Sequence, residues 1–256
     1  VARRATKIDE LRSAAKGPVL LLDAGYTLFG QRLASDTEGR VVIAAMNAMQ
    51  YDAMTVGGQD LDHGSDVLLA RAKEAKFKLV SCNLLWRETG KTLLEPYTII
   101  KRDGVRFGII GVSEPDILNS PGALQVYQVA AAAESVIKYI PEVRSKSDVV
   151  IVLSHLGLEG HKALAQAVPD IDIIVGGSGR ELLNEPVTVG KTLIIQAGYD
   201  GEWLGHLDVS FDAQGKASDP KAELIVLGPE VTDNPELAAL VAKYKQEHPE
   251  PTPLSN

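Results

Sequence analysis

Apolar runs that stop at a polar, glycine-bearing turn recur along this chain. The clearest pair lies past its middle. Ile151 to Leu153 ends at Ser154-His155-Leu156-Gly157, and Ile171 to Val175 ends at Gly176-Gly177-Ser178-Gly179-Arg180. Such runs predict buried strands that deliver side chains to a site at their carboxyl ends. Three earlier runs follow the same rule: 19–22 ends at Asp23-Ala24-Gly25-Tyr26, 54–56 at Gly57-Gly58-Gln59-Asp60, and 79–82 at Asn83. Between them, helical spacing predicts helices over 4–15, with Ile8, Leu11 and Ala15 on one face, over 41–50, and over 65–76 with Ser65 as N-cap. Strand, turn and helix in rotation build a mostly parallel sheet with helices packed on it.

The pattern then changes. Arg102-Asp103-Gly104 between two β-rich runs, 97–101 and 105–112, predicts a hairpin. A helix follows over 130–144, its apolar face formed by Ala133, Val136, Ile137 and Ile140, with Pro141 expected to kink or divide it. The last third reads as strands over 187–189, 192–197, 203–211 and 222–227. A helix over 234–245 follows, with Leu237, Leu240, Val241 and Tyr244 apolar at helical spacing. Residues 1–246 read as one domain and 247–256 as a proline-rich tail or linker. The expected fold class is α/β: a four-layer α/β/β/α sandwich of two mixed sheets.

Composition narrows the function. With 256 residues, 45% of them apolar, the chain can bury a full core. A formal charge of −8 argues against a nucleic-acid partner, because binding phosphate backbones needs local positive charge. No apolar run reaches the ~18 residues of a membrane span, so no membrane insertion is expected. The single cysteine, Cys82, permits no internal disulfide and reads as a small core residue. No secretion signal opens the chain, and a start at Val1 is that of a processed or partial chain.

Taken in order, the strand-end turns resemble those of the 5′-nucleotidase family catalytic domain, within the calcineurin-like metallophosphoesterases. The turns at Asp23–Tyr26, Gly57–Gly64, Ser154–Gly157 and Gly176–Arg180 carry the resemblance. It continues through Ser81-Cys82-Asn83, 104–111, 195–198 and 204–208, covering nearly the whole chain. The resemblance implies a metallophosphoesterase-like sandwich, an exported protein in the periplasm or outside the cell, and a dinuclear metal centre. Two divalent ions ~3.5–4 Å apart need a bridging carboxylate and several imidazole or oxygen ligands. The family draws them from an Asp-x-His turn, a Gly-Asp turn, a Gly-Asn-His-Glu turn, a Ser-His-x-Gly histidine and a Gly-His-x-His turn.

This chain departs from that pattern at each turn but one. Gly-Asp is Gly25-Tyr26; Gly-Asn-His-Glu is Gly57-Gly58-Gln59-Asp60; Gly-His-x-His is Gly177-Ser178-Gly179-Arg180. The Asp-x-His turn, on the family's first core strand, has no counterpart after Val1, so that strand reads as missing. Only His155 survives. One imidazole cannot hold two ions, and an arginine adds repulsion. The remnant pocket is therefore expected at Asp23, Tyr26, Gly58, Gln59, Asp60, Asn83, His155, Ser178 and Arg180, with no metal, no cofactor and no catalytic residue beyond the residual candidate His155. Tyr26 is expected to fill the space of the ions, Arg180 to pair with Asp23 or Asp60, and His63 and His161 to lie at the surface.

The reading that follows is a degenerate domain serving as a structural or interaction module, its partner another protein chain or a fused domain. Three alternatives stay open: an active phosphomonoesterase or 5′-nucleotidase using two divalent ions such as Mn or Zn, a rewired mononuclear site built on His155 with Asp60, His63 or His161, and a small-anion site at Arg180.

Overall fold

The computed structural model describes residues 1–211 and 217–250. Among them are thirteen strands and eight α-helices. The first part of the chain gives α1 (Ala2–Ala14), β1 (Leu22–Asp23), α2 (Arg32–Asp36), α3 (Arg40–Ala48), β2 (Ala53–Thr55), α4 (Gly64–Glu74), β3 (Lys78–Val80) and β4 (Leu84–Trp86). The middle gives β5 (Tyr97–Arg102), β6 (Val105–Val112), α5 (Pro121–Val126), β7 (Tyr127–Val129), α6 (Ala132–Lys146), β8 (Val149–Ser154) and α7 (Gly157–Ala167). The remainder is β9 (Ile173–Gly176), β10 (Val187–Val189), β11 (Thr192–Gln196), β12 (Trp203–Phe211), β13 (Ala217–Val226) and α8 (Pro235–Glu247).

Strands β10-β11-β9-β8-β6-β5 form a six-stranded sheet, parallel across its four central strands and antiparallel at both edges. The β5–β6 hairpin turns on Asp103 (φ 49°) and Gly104 (φ 87°), the left-handed pair that a two-residue turn between twisted strands requires. One face of this sheet packs on α6 and α7 through Val136, Ile140 and Leu164. Its other face carries Ile109, Ile151 and Ile173, which meet Ala53 and Val80 of a second, three-stranded parallel sheet, β1-β2-β3. Met54 and Leu79 point the opposite way, into a core shared with α1, α3, α4 and Leu237 of α8. Alternate residues of β2 and β3 thus serve two cores, as the period of a strand dictates. The layers are helix, sheet, sheet, helix.

The second sheet layer is broken, where one mixed sheet was expected. Among the described residues, β12 and β13 pair only with each other, and β4 with β7. The run 19–22, expected to be a short buried strand, is only partly buried and contributes only Leu22–Asp23 to a ladder. Three further expectations need correction. Ser65 lies inside α4, whose N-cap is His63. Ile137 is half-exposed, not on the apolar face of α6. Pro141 does not divide α6: it and Ile137, whose carbonyl it leaves unbonded, both face solvent, so water can satisfy that group.

The expected tail, 247–256, falls largely outside the described residues; Glu247 ends α8. Among the described residues, no helix is long and apolar enough to cross a membrane.

Candidate functional site

The carboxyl ends of β1, β2, β6, β8 and β9 converge, and the polar turns that follow them interlock. Register sets the arrangement: Ser154 lies opposite Gly176, and the Gly177 N–H donates to the Ser154 carbonyl at 2.7 Å. His155 and Ser178 therefore leave adjacent strand ends. His155 is buried, its Nδ1 2.7 Å from the Ala24 carbonyl, to which it donates. That bond leaves Nε2 facing Glu114 Oε1 at 3.3 Å, an ion pair when the ring is protonated. Glu114 Oε2 accepts a 2.9 Å hydrogen bond from Ser178 Oγ. A single carboxylate thus joins the histidine to the serine.

Glu114 is the residue that reading the turns missed. The signal was present: Ser113-Glu114-Pro115 follows the apolar run of β6, as the other site turns follow theirs. Asn83 belongs to its support. Its amide donates to the carbonyls of Ser113 (2.8 Å) and Ala130 (3.1 Å), and its oxygen accepts from the Ser113 N–H (2.8 Å). Asn83, whose oxygen also accepts from Ser81 Oγ at 3.4 Å, is therefore fully engaged in holding the corner from which Glu114 projects. Gln196 does the same for Ser178, donating to its carbonyl at 2.8 Å.

Asp60 is fully buried and takes four backbone N–H donors: Tyr26 (2.6 Å), Leu28 (2.7 Å), Thr27 (2.8 Å) and Gly57 (3.1 Å). Burial pushes its carboxyl up to about 6, while those donors pull it down. Its role is to pin the Gly25–Leu28 turn. Asp23 acts locally as well, accepting from the Gly25 N–H (2.9 Å) and Thr27 Oγ1 (2.7 Å).

The turns touch with no room for side chains. A Cβ on Gly57 would sit 2.3 Å from the His155 ring, and one on Gly58 2.5 Å from that of Tyr26. Gly57→Ala should therefore cost ~1–3 kcal/mol of stability, the usual penalty of overpacking. A urea melt checks it; an unchanged midpoint would mean that His155 moves freely.

Tyr26 holds a left-handed backbone (φ 65°), lays its ring over Gly58 and meets His155 edge-on at 6.1 Å. It is 53% exposed, so it covers the site rather than filling it as expected. Gln59 lines the same recess. Arg180 pairs with neither Asp23 nor Asp60. It is exposed and stacks on the Tyr199 ring at 4.6 Å, because the left-handed Ser178-Gly179 backbone turns it outward and both carboxylates are already engaged. His63 is exposed as expected and stacks on Phe29. His161 is not at the surface. It is fully buried beneath Gly176, its Nε2 3.0 Å from the Ser154 carbonyl, and burial pulls its pKa down to about 4. Cys82 is a buried core residue whose thiol burial pushes up to about 12.

The donor set does not fit a dinuclear metal centre. Among the described residues, no three His, Cys, Asp or Glu side chains come together as a metal site would need. Asp60 has its lone pairs engaged by backbone, and His155 has Nδ1 engaged by Ala24. A phenol, an amide, a hydroxyl and an outward guanidinium stand at the other turns.

Comparison with known proteins places the whole arrangement. The chain is 30% identical to snake venom 5′-nucleotidase from Naja atra over 96% of its own length. A 5′-nucleotidase precursor from Thermus thermophilus superposes over the same share, with a TM-score of 0.84 and 31% identity. This chain is a relative of the 5′-nucleotidases. A calcineurin-like phosphoesterase from Bacillus subtilis, YfkN, matches with a TM-score of 0.83 and 25% identity, the alignment covering 88% of that chain. The four-layer α/β fold of these phosphoesterases is therefore that of this 5′-nucleotidase-like chain. No family model matches it. The chain spans about half the length of two of these relatives, 51% of the venom protein and 53% of the Thermus one.

Proposed function

We propose that this 5′-nucleotidase-like chain is a catalytically silent domain that serves as a structural or interaction module outside the cytoplasm. The observation that carries the reading is the use to which the site's surviving polar groups are put. Asp60 and Asn83 bind backbone, and His155, the one residue retained from the family's ligand pattern, is tied to Ala24 and Glu114, so the polar groups of the site hold the turns together. The exported character of relatives, a venom protein and a precursor, supports the location. Residues 1–246 make the domain, and its partner is another protein chain or a fused domain; the negative charge disfavours nucleic acid.

One observation favours a second reading. Ser178 Oγ donates to Glu114, so a carboxylate stands where a base would have to stand for metal-free hydrolysis by a serine. Arg180, exposed on Tyr199, is the residue a small anion would meet. A single assay separates these readings. With p-nitrophenyl phosphate and AMP, with and without Mn²⁺, turnover should equal the metal-only blank. Turnover abolished by His155→Ala or Ser178→Ala would overturn the proposal.

A further inference from the structure

A recess of about 380 Å³ opens at the amino ends of β2 and β3, the end of the strands opposite His155. That volume falls within the ~300–1,000 Å³ of small-molecule sites. Three cations from three separate elements line it: Arg12 of α1, Lys76 between α4 and β3, and Arg102 at the end of β5. The turn between α3 and β2, which passes through a left-handed Gln50 (φ 56°), holds both arginines. Arg12 donates to the carbonyls of Met49 and Gln50, each at 2.8 Å. Arg102 pairs with Asp52 and donates to the Val19 carbonyl at 2.9 Å. Asn47 fixes the turn that carries Lys76, donating to the Glu74 carbonyl at 3.0 Å and accepting from the Lys76 N–H at 2.7 Å.

Capping α3 and neutralising Asp52 use only part of this donor set. A guanidinium has five N–H donors, and among the described residues each arginine engages two of them, while the Lys76 ammonium engages none. Asp52 is the one carboxylate in the lining, and it is already committed to Arg102 and to the Leu21 N–H at 2.8 Å. It balances one of three positive charges, in a chain whose formal charge is −8. We infer that this recess binds a phosphate-class dianion, either free phosphate or a phosphate monoester. The two unbalanced charges match the ~−1.5 to −2 of a phosphate monoester at pH 7. Guanidinium forks fit phosphate oxygens two at a time, and Lys76 adds a point charge at the mouth. Both forks are already fixed by backbone carbonyls, so binding orders little that is not ordered beforehand. The inference is independent of whether the site at His155 is catalytically silent.

The test titrates the isotope-labelled chain with inorganic phosphate at constant ionic strength and follows its amide resonances. Those of Gln50, Asp52 and Lys76 should shift together and saturate with a Kd of ~1 mM or tighter. Lys76→Met removes an exposed side chain that holds nothing in the fold, and should weaken binding about tenfold. Phenyl phosphate tells the two sources apart. Affinity equal to or above that of phosphate marks a phosphorylated molecule as the ligand, affinity about tenfold lower marks free phosphate, and both sustain the inference. Shifts that never saturate overturn it, as do shifts confined to the turn at Arg180 or a Kd unchanged by Lys76→Met. Succinate bound as tightly as phosphate overturns it too, since the recess would then not select the phosphate group.

Discussion

Asp60→Ala is expected to lower the stability of the folded chain by ~3–5 kcal/mol. The carboxylate is fully buried and satisfies four backbone N–H groups, three of them consecutive in the Tyr26–Leu28 turn. Hydrogen bonds to a charged group contribute ~1.5–3 kcal/mol each, and they do not add fully here because the turn can relax toward solvent. Alanine leaves all four donors without a partner. Asparagine keeps the volume but turns an N–H₂ toward donors, so Asp60→Asn should recover little. Urea unfolding at pH 7 reads both variants. A loss below ~1 kcal/mol for Asp60→Ala would mean that water reaches the turn and that Asp60 does not hold it.

His161 gives the second large effect, through pH. Burial holds its folded pKa at about 4, against an ordinary value of 6.5. The folded state therefore binds fewer protons than the unfolded chain between those values. The stability that neutral His161 contributes is fully present above pH 6.5 and is lost as pH falls through about 4; the shift corresponds to ~3 kcal/mol. Asp60 runs the other way. Its folded value of about 6 lies above the ordinary 3.8, so the added stability of its protonated form is present below 3.8 and lost as pH rises through about 6, while the four N–H bonds to the carboxylate persist at pH 7. The informative quantity is thus the difference between wild type and His161→Gln, in which Asp60 cancels. That difference should shrink by ~3 kcal/mol from pH 7 to pH 4. A constant difference would place the imidazole in contact with water.

The strand ends are legible in the sequence because each site strand is a short apolar run closed by a polar turn. Local chemistry alone places His155, the four turns around it, and the hairpin at Asp103-Gly104. His161 escapes such a reading when histidine is counted as polar, although Leu158, Leu164 and Ala165 flank it at helical spacing and mark the same buried face. Arg180 escapes it for a different reason. Where its side chain goes depends on the left-handed backbone of Ser178 and Gly179 and on carboxylates already engaged by distant N–H groups, neither of which spacing reveals. The run 19–22 has the composition of a buried strand, but only its end pairs, Leu22 and Asp23 with Ala53 and Met54 of β2, and spacing does not reveal how much of a run finds a ladder partner.

The most direct test of the central claim is metal content. The purified chain is incubated with excess Mn²⁺ or Zn²⁺, desalted and measured by elemental analysis. Because Asp60 and His155 are committed to backbone and to Glu114, the account predicts no retained metal. Two equivalents bound would contradict it and return the chain to the metal-dependent phosphoesterases; one equivalent, lost in His155→Ala, would contradict it as well and locate a rewired site at that histidine.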